Sequence, residues 1–204
     1  LINNVQSLFI KDRAELVENK ILHKEDEKIK NIDITGDLHN GNAVLKLTTS
    51  ESQLIYKPRS IKNDIFFSNI ISFLGAIDEK RSLYSNPINF LDKNSYGWVE
   101  YIVKEPLKSP SLAVNYYKRV GYLLSIAYFF NISDLHFENI ISYKDLPIIV
   151  DLETIFNIPI FEPNYKNNSV KKIERRITNS VYSTGMLPIA SNNNQFGGDT
   201  SGIL

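Results

Sequence analysis

Ser133-Asp-Leu-His-Phe-Glu-Asn-Ile-Ile-Ser-Tyr-Lys-Asp-Leu-Pro-Ile-Ile-Val-Asp-Leu-Glu-Thr-Ile-Phe156 decides how this chain is read. A polar cluster, Asp134-x-His136-x-x-Asn139, stands between apolar runs. Apolar residues on both sides of Lys144-Asp145 predict a hairpin turning at that pair. The second strand, Leu146–Val150, emerges into Asp151 and Glu153. Carboxylates next to a buried strand need a partner, because burying a charge alone is costly. An amide at Asn139 with carboxylates at Asp151 and Glu153 forms the hard, oxygen-rich set that Mg²⁺ prefers. Asp134 precedes them, where a base for a substrate hydroxyl would stand. Taken singly, Asp134 reads as a turn residue, Asn139 as a strand edge and Asp151 as a helix cap. Their order on one hairpin is that of a phosphotransferase loop: base, metal amide, then metal carboxylate.

Composition bounds the rest. The chain has 204 residues, room for one sizeable domain or two small lobes. Hydrophobic residues are 43% and charged residues 23%, a globular rather than a disordered balance. Lys plus Arg and Asp plus Glu both number 23, so the zero net charge removes the electrostatic footprint of a nucleic-acid binder. Without Cys there is neither a disulfide nor a thiolate zinc site. No apolar run reaches membrane-spanning length and no signal peptide opens the chain, so a cytoplasmic location is expected. A start at Leu1 and an end at Leu204 read as a piece of a longer protein.

Toward the N-terminus, Ile2, Val5, Leu8, Phe9, Leu16 and Ile21 approximate a helical stripe over residues 1–23. Lys24–Lys30 is a mixed charge run, read as a solvated linker, with His23 at its edge as a surface residue. Thr35-Gly-Asp-Leu-His-Asn-Gly-Asn42 is a glycine-bearing loop that feeds strands over Ala43–Thr48 and Gln53–Tyr56. Lys57 closes the second strand and Pro58 stops it, having no N–H for the ladder. A glycine loop followed by a strand that presents Lys is how kinase-like folds hold a triphosphate. His39 and His136 both stand in Asp-Leu-His triplets, Asp37–His39 and Asp134–His136. Such a His can orient a carboxylate, hold phosphate or move a proton. For His136 a packed, loop-bracing imidazole is the competing explanation.

Ile61–Ala76 predicts an amphipathic helix with Ile65, Phe66, Ile70, Phe73 and Leu74 on its apolar side. A loop rich in Asn, Ser and Pro runs to Asn94, and Tyr96–Val103 reads as a strand. Its Trp98 fits either an adenine pocket or plain core. Glu105–Pro110 marks a crossover between lobes, and Ser111–Phe130 a long apolar helix capped by Ser109 or Ser111. Further on, 157–169 reads as loop, Lys171–Arg176 as a short charged helix, and Ser191–Gly198 as a flexible substrate or activation loop.

With these motifs in place the chain resembles the dehydratase domain of the class II lanthipeptide synthetases, the LanM enzymes. The resemblance rests on Gly36-Asp-Leu-His-Asn-Gly41, Tyr56-Lys-Pro-Arg59, Tyr96-Gly-Trp-Val-Glu100, Asp134-Leu-His-Phe-Glu-Asn139, Val150-Asp-Leu-Glu-Thr154 and Ser183-Thr-Gly-Met-Leu-Pro188. It implies an α+β, kinase-like two-lobed fold with a lipid- and protein-kinase-like core. Residues 1–30 would be a helix and linker, 31–105 a β-rich N-lobe, and 106–204 a helical C-lobe. ATP and Mg²⁺ would serve to phosphorylate Ser and Thr of a ribosomal precursor peptide, made of a leader and a Ser/Thr/Cys core. Elimination of the phosphate would leave dehydroalanine or dehydrobutyrine. By the same resemblance Lys57 matches the ATP lysine, Asp134, His136 and Asn139 the catalytic loop, and Asp151 and Glu153 the metal pair. Asp37 and His39 match elimination residues, whereas the family's eliminating Arg and Thr find no match in these motifs. A zinc cyclase domain would lie elsewhere in a longer chain. A small-molecule or lipid kinase that stops at phosphorylation, and an inactive peptide-binding pseudokinase module, are the alternatives.

Overall fold

The structure, a computed structural model, describes residues 1–35, 43–78, 87–157, 169–188 and 201–203. The fold is mixed α/β with antiparallel sheets. It divides into two compact units, Leu1–Ile70 with Ser85–Val103 and Ile71–Tyr84 with Lys104–Leu204.

In the first unit the helix α1 (Ile2–Glu18) buries Val5, Phe9, Asp12 and Leu16, one stripe at helical spacing, and leaves Ile2 exposed. Strands β1 (Asn31–Ile34), β2 (Leu45–Thr48), β3 (Gln53–Lys57), β4 (Phe90–Asp92) and β5 (Gly97–Glu100) form an antiparallel sheet in the order β1-β2-β3-β5-β4. Leu45 and Leu47 of β2 and Leu54 and Tyr56 of β3 alternate inward, the two-residue period of a half-buried strand. They share one core with Phe9, Leu16 and Trp98. Trp98 is fully buried and its Nε1 donates to Asp12 Oδ2 at 2.9 Å, so among the alternatives for this residue the core reading holds. The Tyr96 hydroxyl donates to the same oxygen at 2.8 Å, and Lys93 Nζ lies 3.4 Å from Asp12 Oδ1. A buried carboxylate is tolerable there because it is paired and hydrogen-bonded.

Two expectations are corrected in this unit. Lys24–Lys30 is not a uniformly solvated linker: Glu27 is 1% exposed. Its carboxylate accepts from the Thr49 hydroxyl, from Ser52 Oγ at 2.9 Å, and from the backbone N–H groups of His23 at 2.8 Å and Lys24 at 3.1 Å. Four donors replace the water that such a group normally requires. The helix α2 (Lys62–Ile77) also presents a different face from the predicted one. Ile61, Asp64, Phe67, Ser68 and Ile71 are buried, whereas Phe66 and Phe73 are exposed. Asp64 turns inward to meet two cations, and its face of the helix turns with it.

In the second unit α3 (Pro110–Phe129) starts after Ser109, with Pro110 at a first-turn position where its missing N–H costs nothing. It buries Tyr116, Val120, Leu123 and Ala127. Asn131, in the left-handed region at φ 49°, follows its end. Strands β6 (Ile140–Tyr143) and β7 (Leu146–Ile149) pair from Tyr143↔Leu146 back to Ile140↔Ile149, with Lys144-Asp145 as the loop. The helix α4 (Ser169–Thr178) and a 3₁₀ turn, Val181–Thr184, complete the described elements. Among the described residues no helix is long and apolar enough to cross a membrane.

Candidate active site

A hairpin can present functional groups only if something fixes its register and its ends. Here α3 grips the closed end. Arg119 pairs with the Asp145 carboxylate, and its Nη1 also donates to the Asp145 carbonyl at 2.8 Å. The hydroxyls of Tyr116 and Ser142 meet at 2.9 Å. The turn is therefore pinned on both its backbone and its side chain. At the open end, Val150 N–H donates to the Asn139 carbonyl at 3.0 Å and extends the ladder by one pair. Asn139 and Asp151 thus emerge from adjacent strands at the same end of the ribbon.

The loop before β6 is held as tightly. Asp134 adopts φ 64°, a conformation that Asp tolerates better than most residues. Its carbonyl accepts from Asn139 Nδ2 at 2.8 Å, which orients the amide and leaves the lone pairs of Oδ1 for another partner. The Asp134 side chain is 67% exposed, open to an incoming hydroxyl. His136 lies with Nε2 3.2 Å from Asn139 Nδ2 and Nδ1 3.3 Å from the Glu138 N–H. Asp134 Oδ1 and Glu138 Oε2 stand 3.9 and 4.0 Å from its ring nitrogens. His136 therefore braces the loop from inside while keeping an open edge.

The metal-ligand expectations fall on the next segment. Asp151 Oδ1 accepts from Glu153 N–H at 3.2 Å, so one carboxylate caps the turn that carries the other. That turn is stitched to the Asp134 loop. Thr154 Oγ1 donates to the Ser133 carbonyl, Phe156 N–H to the Phe130 carbonyl at 2.9 Å, and Asn157 N–H to the Asn131 carbonyl at 3.1 Å. Asp134, His136, Asn139, Asp151 and Glu153 consequently share one local framework. Among the described residues no three His, Cys, Asp or Glu side chains converge as a metal cage. Mg²⁺ does not require one: it takes one or two carboxylates and fills its octahedron with waters and phosphates. Asn139 Oδ1 and the Asp151 carboxylate are hard oxygens that fit that role.

Sequence reasoning missed the clamp beneath this loop. Leu135 N–H donates to the Thr184 carbonyl at 2.8 Å, and His136 forms an isolated bridge with Ser201. Gly185 has φ 78°, and a Cβ there would stand 3.0 Å from Leu135 N. At Gly202 a Cβ would collide with the Leu135 carbonyl oxygen. Only residues without side chains fit on both sides of Leu135. The pattern Ser-Thr-Gly-Met-Leu-Pro carried the signal, although it does not reveal which loop it touches.

Lys57, in the first unit, is buried rather than exposed. Its Nζ lies 2.8 Å from Asp64 Oδ1, and Arg59 Nη1 lies 3.0 Å from Asp64 Oδ2. A strand lysine paired with a carboxylate from the following helix is the arrangement that positions a phosphate-binding lysine in protein kinases. Asp64 was not foreseen, because a lone acid in the first turn of a helix reads as a favourable dipole contact. Asp37 and His39 lie outside the described residues.

The comparisons agree with these motifs. The chain belongs to the family described as a domain of unknown function, DUF4135, which matches residues 1–204. It is similar to the Lacticin 481/lactococcin biosynthesis protein LcnDR2 of Lactococcus lactis subsp. lactis, at 47% identity over 210 residues. That similarity covers 100% of this chain and 23% of the relative, so the chain spans about a quarter of that protein's length. The resemblance to lanthipeptide synthetases read from the motifs thus meets a relative whose name places that protein in lantibiotic biosynthesis.

Proposed function

We propose that this chain is the phosphorylating and eliminating part of a lanthipeptide synthetase, acting on Ser and Thr of a ribosomal precursor peptide. The observation that carries the reading is the shared hairpin end of Asn139 and Asp151, with the exposed Asp134 carboxylate on the loop tied to Asn139. The relative's printed name supports the pathway. The same reading makes the fold kinase-like, with a β-rich N-lobe and a helical C-lobe, and the location cytoplasmic.

In the first step Asp134 accepts the proton of a Ser or Thr hydroxyl as its oxygen bonds to the γ-phosphorus of ATP. The bond from that phosphorus to the bridging oxygen breaks, and ADP leaves. Asn139, Asp151 and Glu153 would hold Mg²⁺, which neutralises charge on the phosphates when bound. Lys57, fixed by Asp64, holds its ammonium toward phosphate oxygens. In the second step a base removes the α-proton of the phosphorylated residue. The electron pair forms the Cα–Cβ double bond, the Cβ–O bond breaks and phosphate departs. Asp37 and His39 are proposed for this step, with His39 donating to the leaving phosphate. A zinc cyclase domain elsewhere in the longer protein would consume the alkene.

The full-length protein with precursor peptide, ATP and Mg²⁺ should return peptide lighter by water at Ser or Thr, read by mass spectrometry. His39→Ala should return phosphopeptide instead. Wild-type protein that yields phosphorylated product and never dehydrates it is a kinase that stops. Unmodified peptide without ATP binding would indicate an inactive module.

A further inference from the structure

The described elements leave a broad groove in the second unit, of about 830 Å³, where the C-terminal ends of α3 and α4 meet the 3₁₀ turn. Tyr128, Phe129 and Ile177 line it, together with the amides of Asn131 and Asn157 and the hydroxyl of Ser133, which accepts from Asn157 Nδ2 at 3.0 Å. The Tyr128 hydroxyl donates to the Asn179 carbonyl at 3.2 Å and closes one end of it. Asn179 also lines a second hollow of about 420 Å³, whose other walls are Lys172, Arg175 and Arg176. The basic hollow and the apolar groove thus share Asn179 as a wall. Ser133, which also lines the groove, immediately precedes Asp134, the proposed base.

The helix α4 is amphipathic, with Ile173 57% and Ile177 39% exposed and the cations beside them. Apolar side chains left in water next to clustered cations call for a partner that is apolar and acidic together. No carboxylate lines either hollow among the described residues. Lys172 and Arg176 form no ion pair among them. A concave groove lined by amides suits a polypeptide backbone, which needs donors and acceptors along its length. A membrane surface would instead meet a longer, convex apolar face.

We propose that this groove docks the precursor peptide, with a carboxylate of the peptide between Lys172 and Arg176 and apolar side chains over Tyr128, Phe129 and Ile177. The chain then runs past Ser133 and delivers its hydroxyl to Asp134. The inference rests on the peptide-modifying reading above and adds the docking surface and its charge requirement.

Fluorescence anisotropy of the full-length protein tests it with fluorescein-labelled peptides of equal length in which Leu alternates with Glu, with Gln or with Lys. The Glu peptide should bind most tightly. The combined variant Lys172→Glu, Arg176→Glu should bind it at least about tenfold more weakly and gain affinity for the Lys peptide. Ile177→Ala, a milder change, should weaken the Glu and Gln peptides alike. These cations are exposed, and an unchanged melting temperature will show that the charge variant folds. Equal affinity for all peptides, no binding to any, or no effect of charge reversal would overturn the proposal. So would charge-sensitive binding to phosphatidylserine-containing vesicles with no peptide binding, which would assign the surface to a membrane. With ATP and Mg²⁺, binding of a Ser-containing version of the Glu peptide without its phosphorylation by wild-type protein would sink the enzymatic reading and leave the docking surface standing.

Discussion

At the residue scale, the buried Lys57–Asp64–Arg59 cluster turns an ordinary-looking strand lysine into a positioned one. Removing one partner of a buried ion pair is costly, because the remaining charge has been taken out of water. Asp64→Asn removes the carboxylate that both cations share and should lower stability by about 3 kcal/mol. Lys57→Met leaves Arg59 on Asp64 and should cost less stability, yet slow phosphorylation by roughly tenfold to a few hundredfold. Urea unfolding and phosphorylation rates of the single and double variants would check both. Strict additivity in stability would mean the two side chains are not coupled. Glu27 supplies a second case. Burial alone would raise its pKa, but hydrogen bonds from Thr49, Ser52 and the Lys24 and His23 N–H groups outweigh it and hold the carboxyl at about 2, against 4.5 ordinarily. A depressed carboxyl stabilises the fold above its unfolded pKa and loses that contribution as pH falls from about 4.5 toward 2. The difference corresponds to about 3 kcal/mol. Glu27→Gln should flatten the acid limb of a melting-temperature profile across that window; an unchanged slope would deny Glu27 this part.

At the element scale, the hairpin is positioned at both ends by parts distant in sequence. Arg119 and Tyr116 of α3 hold its turn, while the strip ending at Gly185 supports the loop that carries Asp134. Gly185→Ala places a Cβ against Leu135 N in a left-handed backbone. It should cost about 1–2 kcal/mol and slow phosphorylation severalfold. Calorimetry together with a rate measurement would show this, and a variant with unchanged stability and rate would contradict the clamp. Much of the hairpin was legible in sequence because a buried strand pair around a polar turn is a local pattern. What held it was not, since Arg119 and Thr184 are remote and look like surface residues. β1 and β4 were missed for a related reason. β1 is largely exposed and its Asn-Ile-Asp-Ile alternation runs for only 4 residues, and β4 has only 3 residues in an Asn-rich stretch. The face of α2 was misread because hydrophobic spacing alone pointed to Phe66 and Phe73, whereas the fold turns Asp64 inward.

At the scale of the whole molecule, two units each carry part of the proposed chemistry. The first supplies Lys57 with Asp64, and the second supplies Asp134, His136, Asn139, Asp151 and Glu153. Order along the chain made these residues readable as one phosphotransferase set. The electrostatics around them, a buried pair in one unit and a stitched loop in the other, emerged only with the fold. The central claim is that the open end of the hairpin serves phosphoryl transfer. Single-turnover transfer of the γ-phosphate from labelled ATP to a Ser-containing precursor peptide, by full-length wild-type protein and Asp151→Asn, tests it most directly. The asparagine keeps the shape of the side chain and removes its charge. Transfer should fall by at least about a hundredfold in the variant and should require Mg²⁺ in the wild type. Transfer by Asp151→Asn at the wild-type rate would contradict the account.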